Sequence, residues 1–132
     1  MHQFPIRVYY EDTDAGGVVY HANYLKFAER ARTEALRQVG ISQQELLATH
    51  KIAVAVRTCH IEFFKPARLD DLLTIESHLD DSGSASLDMS QTIKKDDDIL
   101  VTLSIRLAVV GDGMKPTRLP QEIKDKIQSI FQ

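Results

Sequence analysis

The fold of this protein is decided by residues 9–36, which read YYEDTDAGGVVYHANYLKFAERARTEAL. An extended run ends at Tyr9-Tyr10, and the Gly16-Gly17 pair that follows lets the backbone take positive φ and come close to a ligand. Helical spacing begins after His21, and Asn23 is expected to cap that helix by accepting from a free N–H. The stretch therefore predicts a strand, a glycine turn and a helix in succession.

This succession favours a catalytic site, because a helix N-terminus carries roughly half a positive elementary charge and free N–H donors. Such donors stabilise an oxygen on which negative charge develops. The preceding loop contains Glu11, Asp12 and Asp14, so a carboxylate is available to attack a substrate or to activate water. A solvated turn before a capped helix is the alternative interpretation. The acidic loop, two glycines, aromatic residues and a histidine at one helix entry favour a functional site.

Length and composition indicate the class of protein. A chain of 132 residues is enough for one domain around one core, expected to span residues 1–132. The net charge of −3 and the scattered basic residues argue against nucleic-acid binding. The start MHQFPIRVYY does not resemble a signal peptide, and no segment approaches the ~20 apolar residues that span a bilayer. We therefore expect a soluble, cytoplasmic protein with no transmembrane segment.

The cysteine and histidine residues predict neither a disulfide nor a metal site. Cys59 is the only cysteine, so it has no internal partner. It lies in a β-like run and is expected to be a small core residue. The five histidines show no ligand spacing.

Apolar alternation predicts five strands. The first run, residues 4–10, places its even-numbered residues up to Tyr10 on one face, with Pro5 near an edge. The further runs cover residues 52–64, 72–79, 85–94 and 99–110. In the second run the apolar face switches near Arg57-Thr58, which predicts a β-bulge or burial of both faces. Short turns between the last three runs predict an antiparallel meander.

Helical periodicity predicts a long helix from Asn23 to about Val39, closed by Gly40 at the position after the C-cap. Arg32 is the charge that falls inside the apolar arc of this helix. Its position predicts a buried or half-buried carboxylate partner, the alternative being that its side chain reaches the helix edge.

Two shorter helical segments complete the pattern. Ser42 and Glu45 match a capping box at the start of a polar segment. Residues 121–131 are expected to form a short terminal helix, with Pro120 as its first residue. One helix against one five-stranded sheet makes an α+β layer.

A family resemblance rests on the segment VYYEDTDAGGVVYHANYLKFAERARTEAL, with PARLDD at residues 66–71 and MKPTRLP at residues 114–120. Together they resemble the hotdog-fold acyl-CoA thioesterases of the 4-hydroxybenzoyl-CoA thioesterase family, and more narrowly the bacterial branch associated with the Tol-Pal envelope system. The resemblance covers nearly the whole chain. It implies a five-stranded antiparallel sheet wrapped around a long central helix, a short C-terminal helix, hydrolysis of acyl-CoA thioesters, and no cofactor, since coenzyme A is part of the substrate.

The resemblance also implies roles for individual residues. Asp14 matches the catalytic carboxylate, as nucleophile or as general base. The N–H at His21 would polarise the thioester carbonyl, and a role for the His21 imidazole is left open. Asp12 matches no catalytic position and is expected to accept from loop N–H groups. The residues expected to bind substrate at the turn and the helix entry are Gly16, Gly17, Tyr20, Asn23 and Tyr24.

The expected partners follow from the same resemblance. They are an acyl-CoA substrate, further copies of this chain in a homo-tetramer assembled from dimers, and an acyl carrier protein or a protein of the cell envelope. Coenzyme A carries phosphates, and the exposed basic candidates to meet them are Lys65, Arg68, Lys94, Lys95, Lys115 and Arg118. The sequence does not choose among these.

Two other functions are compatible with the pattern. A hotdog dehydratase or hydratase would use an acid and a base around the acyl Cα–Cβ bond, and Asp14 and His21 are the available pair. A non-catalytic acyl-carrier or envelope-complex binding module would use the same fold without turnover. The presence of Asp14, Gly16, Gly17 and His21 favours the thioesterase.

Overall fold

The computed structural model describes residues 1–132, which form one antiparallel sheet and several helices. The strands are β1 (His2–Arg7), β2 (Ala53–Phe63), β3 (Leu72–Ser82), β4 (Ser86–Lys95) and β5 (Asp98–Val110). Their order in the sheet is β1-β3-β4-β5-β2. The last three strands make the predicted meander, while β1 pairs with β3 at one edge and β2 pairs with β5 at the other.

The helices are α1 (Asn23–Gln38), α2 (Gln43–Glu45) and α3 (Gln121–Phe131). A π-helical turn, Leu46–His50, extends α2, and single 3₁₀ turns lie at Tyr10–Asp12 and Asp112–Met114. The helix predicted from Asn23 to about Val39 is observed as α1, whose 16 residues span about 24 Å. None of the helices combines the length and the apolar character that crossing a membrane requires.

Helix ends follow local signals in part. Gly40 has φ +81° directly after the C-cap of α1, as predicted, and Ile41 N–H donates to Leu36 O at 2.9 Å. Ser42 Oγ accepts from Glu45 N–H at 3.0 Å, which confirms the cap of α2. Pro120 is the N-cap of α3 and not its first residue, because its ψ of 140° is not helical.

Two positions on the edge strands correct the sequence prediction. β1 stops at Arg7, and Tyr10 lies exposed in the 3₁₀ turn instead of on the buried face, because the chain turns away from the sheet there. The bulge in β2 is confirmed between Val56 and Thr58. Cys59, however, is exposed and not a core residue. Its strand has a neighbour on one side only, so part of its apolar side stays uncovered.

The core lies between α1 and the inner face of the sheet. Phe27 and the alanines of α1 are buried against odd-numbered residues of β3, β4 and β5. Small side chains let the helix approach so closely that the Gln91 side chain of β4 donates to Ala28 O at 3.0 Å. Gln91 occupies an odd-numbered, inward position in a strand that is otherwise apolar on that face.

Arg32 reaches this same glutamine. Its Nη1 donates to Gln91 Oε1 at 2.8 Å, so the predicted carboxylate partner is wrong: the partner is a neutral amide that is 1% exposed. Burial lowers the pKa of the Arg32 guanidinium, and the Glu29 carboxylate opposes that shift. Gln91 also donates to Ser77 Oγ at 2.9 Å, so one amide bonds two polar groups of α1 and one of β3.

Candidate active site

Asp14 begins a tight turn that projects between β1 and α1. Its N–H donates to Val18 O at 2.9 Å, Gly17 N–H donates to Asp14 O at 3.1 Å, and Thr13 bridges Val19. Gly17 has φ +79°, the positive value that the glycine pair predicted. The segment is therefore a miniature hairpin with a defined shape.

The Asp14 carboxylate is exposed and held by one hydrogen bond. Its Oδ1 accepts from Gly16 N–H at 2.8 Å, while its Oδ2 has no donor within the chain. A Cβ added at Gly16 would lie 3.2 Å from that Oδ1, so glycine leaves room for the contact. Asp14 lines a surface cleft with Tyr10, Thr13, Ala15, Gly17 and Leu69. The carboxylate is thus oriented by the turn and open to a ligand.

Asp12, two residues earlier, is buried, and both of its carboxylate oxygens accept hydrogen bonds. Its Oδ2 accepts from Tyr9 N–H at 2.8 Å and its Oδ1 from the Asn23 side-chain amide at 3.0 Å. The predicted role of Asp12 as an acceptor for loop N–H groups is confirmed. The predicted N-cap at Asn23 is wrong, since Ala22 is the N-cap and Asn23 is the first helical residue. The Asn23 side chain instead ties the helix to the acidic loop.

The start of α1 offers free backbone donors. Asn23 N–H donates to Tyr20 O at 2.8 Å, but the N–H groups of His21 and Tyr24 have no acceptor within the chain. Unpaired donors are the normal state of a helix N-terminus and can bind an oxygen ligand. The exposed His21 imidazole lies on the Tyr20 ring, with centroids 4.5 Å apart, and makes no hydrogen bond to Asp14.

Tyr24, expected to line the acyl side, is a buried connection. It is 3% exposed, and its hydroxyl accepts from Ala67 N–H at 3.0 Å. Burial raises the pKa of this hydroxyl, and the hydrogen bond from Ala67 opposes the rise. Ala67 O in turn accepts from Val19 N–H at 2.9 Å. Tyr24 therefore joins α1, the Asp14 turn and the loop between β2 and β3.

Phe63, the last residue of β2, was not predicted as a site residue but lies at the helix entry. Its ring centroid is 5.7 Å from that of Tyr24 and 6.5 Å from that of His21, the latter in an edge-on arrangement. The sequence offered one signal for this site residue, the Phe63-Phe64 pair at the end of a predicted strand. Such a pair is equally typical of an ordinary strand in the core. Tyr20, His21 and Tyr24 are thus brought together around a residue 39 or more positions away.

Some of the basic residues expected to meet the coenzyme phosphates lie at the end of the sheet that carries the Asp14 turn. Arg68 is bridged through its backbone to Val18. Asp71 Oδ2 accepts from Arg68 N–H at 2.8 Å, and Asp71 Oδ1 accepts from Lys95 Nζ at 2.9 Å. Burial alone would raise the pKa of Asp71, but these two donors outweigh it and hold that pKa below its ordinary value.

Two further basic candidates pair with carboxylates at the same end of the sheet. Lys65 pairs with Asp98 at 3.4 Å and Lys94 with Glu76 at 3.6 Å. Lys115 and Arg118 flank Thr117, whose N–H donates to Val109 O at the opposite end of β5. The structure thus separates the basic candidates into two groups on opposite ends of the sheet. It places no three His, Cys, Asp or Glu side chains where they could hold a metal ion together.

Comparison with known proteins gives consistent matches. The model of the thioesterase superfamily matches residues 16–102. The acyl-CoA thioesterase YbgC of Haemophilus influenzae is 46% identical over 122 residues, covering 92% of this chain and 90% of that protein. The acyl-CoA thioester hydrolase YbgC of Escherichia coli O6:H1 is 47% identical over 123 residues, covering 92% and 91%.

A solved structure agrees with these matches. The probable thioesterase from Bartonella henselae superposes with a TM-score of 0.87 at 41% identity, covering 90% of this chain and 98% of that one. The resemblance stated from residues 8–36 is thereby confirmed, as is a five-stranded antiparallel sheet with helices. The chain therefore belongs to the thioesterase superfamily, as a hotdog-fold member whose similar relatives include the YbgC acyl-CoA thioesterases.

Proposed function

We propose that this protein hydrolyses acyl-CoA thioesters to a free acid and coenzyme A, with residues 1–132 acting as a single hotdog domain. The observation that carries the proposal is one loop-and-helix unit that holds both an exposed, oriented Asp14 carboxylate and unpaired N–H donors at the start of α1. The identity of 46–47% to proteins named as acyl-CoA thioesterases, over 92% of the chain, supports the same activity here.

The catalytic roles follow from that unit. The thioester carbonyl oxygen accepts from His21 N–H, and such a donor contributes about 3 kcal/mol once the oxygen gains negative charge. Asp14 either attacks the carbonyl carbon, giving a mixed anhydride that water then opens, or removes a proton from the attacking water. In both routes the C–S bond breaks, the sulfur leaves as the thiolate of coenzyme A and takes up a proton, and water supplies the acid oxygen. The reaction therefore needs no cofactor.

The substrate-binding residues divide by position. Gly16 and Gly17 leave the turn without side chains where the thioester passes Asp14, and Tyr20 presents a half-exposed ring at the helix entry. Asn23 and Tyr24 do not contact the substrate through their polar atoms, because those atoms are hydrogen-bonded to Asp12 and Ala67. Their role is to position the turn and the helix. The His21 imidazole, exposed beside Tyr20, keeps a side-chain role open.

The coenzyme is expected to extend toward the basic group at the Asp14 end of the sheet. Arg68 is the member of that group whose guanidinium makes no ion pair, and its backbone is bridged to Val18 beside the turn. A guanidinium fork suits phosphate oxygens. Lys115 and Arg118, at the opposite end of β5, are not expected to reach the coenzyme that Arg68 of the same subunit meets.

We further propose the finer features of fold, assembly and location. The sheet wraps around α1, which contacts β1 and β3 and reaches β4 through Ala28 and Gln91. A homo-tetramer built from dimers completes the site, since α1 covers one face of the sheet only. The protein works in the cytoplasm, where acyl-CoA is formed and consumed. An acyl carrier protein or a Tol-Pal envelope protein is its expected further partner.

The activity is tested by free-thiol release from a panel of acyl-CoAs, with crotonyl-CoA among them. We expect thiol release with several of these substrates. Loss of the crotonyl absorbance without thiol release would indicate a hydratase. Binding of acyl-CoA without either change would indicate a non-catalytic module, and both results would contradict the proposal.

A further inference from the structure

We propose that Phe63 is a specificity-determining residue, whose ring forms the wall against which the apolar acyl group of the thioester lies. The inference rests on the hydrolysis proposed above. It goes beyond that proposal because it assigns acyl selection to a strand residue outside the loop-and-helix unit.

The backbone holds Phe63 firmly at the end of β2. Phe63 pairs in register with Val101 of β5, and the next two N–H groups, of Phe64 and Lys65, both donate to Leu100 O, at 2.8 and 3.2 Å. Successive side chains of a strand point to opposite faces, so Phe63 and Phe64 point different ways. Ring contacts are made by Phe63 alone, to His21 and Tyr24.

The ring is half-exposed above a buried base. Tyr24, beneath it, is 3% exposed, whereas Phe63 is 49% exposed. Tyr20 and His21 extend the aromatic surface beside it, with ring centroids 4.5 Å apart. This aromatic surface, formed by Tyr20, His21 and Phe63, adjoins the free N–H of His21. An exposed aromatic surface beside an unpaired N–H donor can contact an apolar group of a ligand whose oxygen accepts from that donor.

The geometry selects the acyl side of the thioester as the occupant. The carbonyl carbon bears a sulfur on one side and the acyl chain on the other. With the carbonyl oxygen on His21 N–H, the charged Arg68 region beside Val18 suits the phosphates of the coenzyme. The aromatic surface contains no charged carboxylate or ammonium group and suits the acyl chain. An acetyl group is too short to cover the Phe63 ring, and longer chains lie across it.

The sign of the effect follows from the exposure of the ring. Within one subunit the half-exposed ring presents contact area and does not block a closed tunnel. Truncation to alanine therefore removes contact from long acyl chains instead of opening new space for them. Each buried CH₂ contributes free energy that corresponds to a few-fold change in affinity, so the factors for several lost contacts multiply.

The test compares Phe63→Ala with Phe64→Ala, a matched control that removes a neighbouring ring of similar exposure, 57% against 49%. For each variant kcat/KM is measured with acetyl-, butyryl- and octanoyl-CoA. We expect Phe63→Ala to lower the octanoyl-to-acetyl ratio of kcat/KM about tenfold. Phe64→Ala should leave that ratio within about twofold of the parent. Phe63→Leu keeps apolar bulk and should lower it by a smaller factor.

Three results would overturn the assignment: an octanoyl-to-acetyl ratio unchanged in Phe63→Ala, an equal drop in Phe64→Ala, or a ratio that rises. If Phe63→Ala does not fold, the ratio in Phe63→Leu decides, and an unchanged value counts against the proposal. Failure of the hydrolysis proposal is distinguishable, because the parent protein would then release no thiol from any of the three substrates. Sedimentation of each variant excludes a change of assembly as the cause.

Discussion

Asp12 and Asp14 lie two residues apart, yet the structure gives them different tasks. Asp12 is buried, and both of its oxygens are occupied by donors from Tyr9 and Asn23. Asp14 is exposed and keeps one oxygen free. A buried carboxylate with satisfied hydrogen bonds stabilises the loop, whereas an exposed carboxylate with a free oxygen is open to a ligand.

We therefore predict that Asp14→Asn lowers kcat by at least ~10² and leaves the melting temperature close to that of the parent, because asparagine keeps the Oδ1 that accepts from Gly16. Asp12→Asn should do the reverse, losing about 1–3 kcal/mol of stability with activity retained in the folded fraction. Thiol release and thermal melting separate the two effects. Turnover near the parental rate in Asp14→Asn would contradict the assignment, and Glu29 on α1 would become the next acid to test.

A second residue pair tests the core. Gln91→Leu removes the acceptor of the half-buried Arg32 guanidinium and is expected to cost about 1–3 kcal/mol in urea unfolding. Arg32→Met should also destabilise. The double variant should be more stable than the sum of the single changes predicts, since it leaves no unpaired guanidinium. Strictly additive losses would mean that the hydrogen bond contributes nothing of its own.

The loop between β2 and β3 acts as the connection between elements. Ala67 links the Asp14 turn and α1 through Val19 and Tyr24, and Asp71 links the same loop to Lys95 of β4. The position of the Asp14 turn relative to the helix therefore depends on contacts with parts of the sheet that come later in the chain.

The Asp71 contact makes stability depend on pH in a definite direction. The pKa of Asp71 is held below 3.8, its ordinary value, so the contact stabilises the fold fully above that pH and is lost as the pH falls through the lower folded value. At pH 7, Asp71→Asn should lower the melting temperature by about 2–4 °C. At a pH below 3.8 the gap to the parent should narrow, and it should close once the pH has fallen through the lower folded pKa of Asp71.

Asp97→Asn is the control for this comparison, because Asp97 is exposed in the neighbouring turn and makes no ion pair. It should leave the melting temperature unchanged at both pH values. A gap between Asp71→Asn and the parent that persists undiminished into acid would show that the carboxylate charge is not the cause.

The whole molecule leaves one long strand edge unpaired. β2 has 11 residues without proline and borders only β5, whereas β1 at the other edge has 6 residues and contains Pro5. Beside β2, Glu29, Arg32, Leu36, Val54 and Val56 line an open cleft. A long free edge next to a partly apolar cleft is a surface that a second copy can complete.

We predict that the protein sediments as a homo-oligomer at micromolar concentration. Val56→Lys should shift it to smaller species, because Val56 is 54% exposed on β2 and a lysine there opposes edge pairing. Leu47→Lys, at an equally exposed position after α2, should leave the oligomer intact. A monomeric parent would contradict the prediction and leave the site without a second subunit.

Local patterns were enough for most elements of this chain. Alternation predicted the meander and, as one of two alternatives, a bulge near Arg57-Thr58, which lies between Val56 and Thr58. Glycine chemistry predicted the positive φ of Gly17 and the end of α1 at Gly40. These features depend on residues close in sequence, because backbone sterics and side-chain period act over a few positions. The main segment of the family resemblance, residues 8–36, is likewise continuous in sequence.

Tertiary packing decided the features that depend on distant residues. The alternation of apolar residues shows that Cys59 belongs to the apolar face of its strand. Its exposure depends on the position of β2 at the edge of the sheet. Arg32 found an amide 59 residues away instead of a carboxylate, and Phe63 reached the helix entry from the end of β2. Periodicity reports which face of an element is apolar, whereas the identity of the element that covers this face depends on how the whole chain minimises exposed apolar surface and unpaired polar groups.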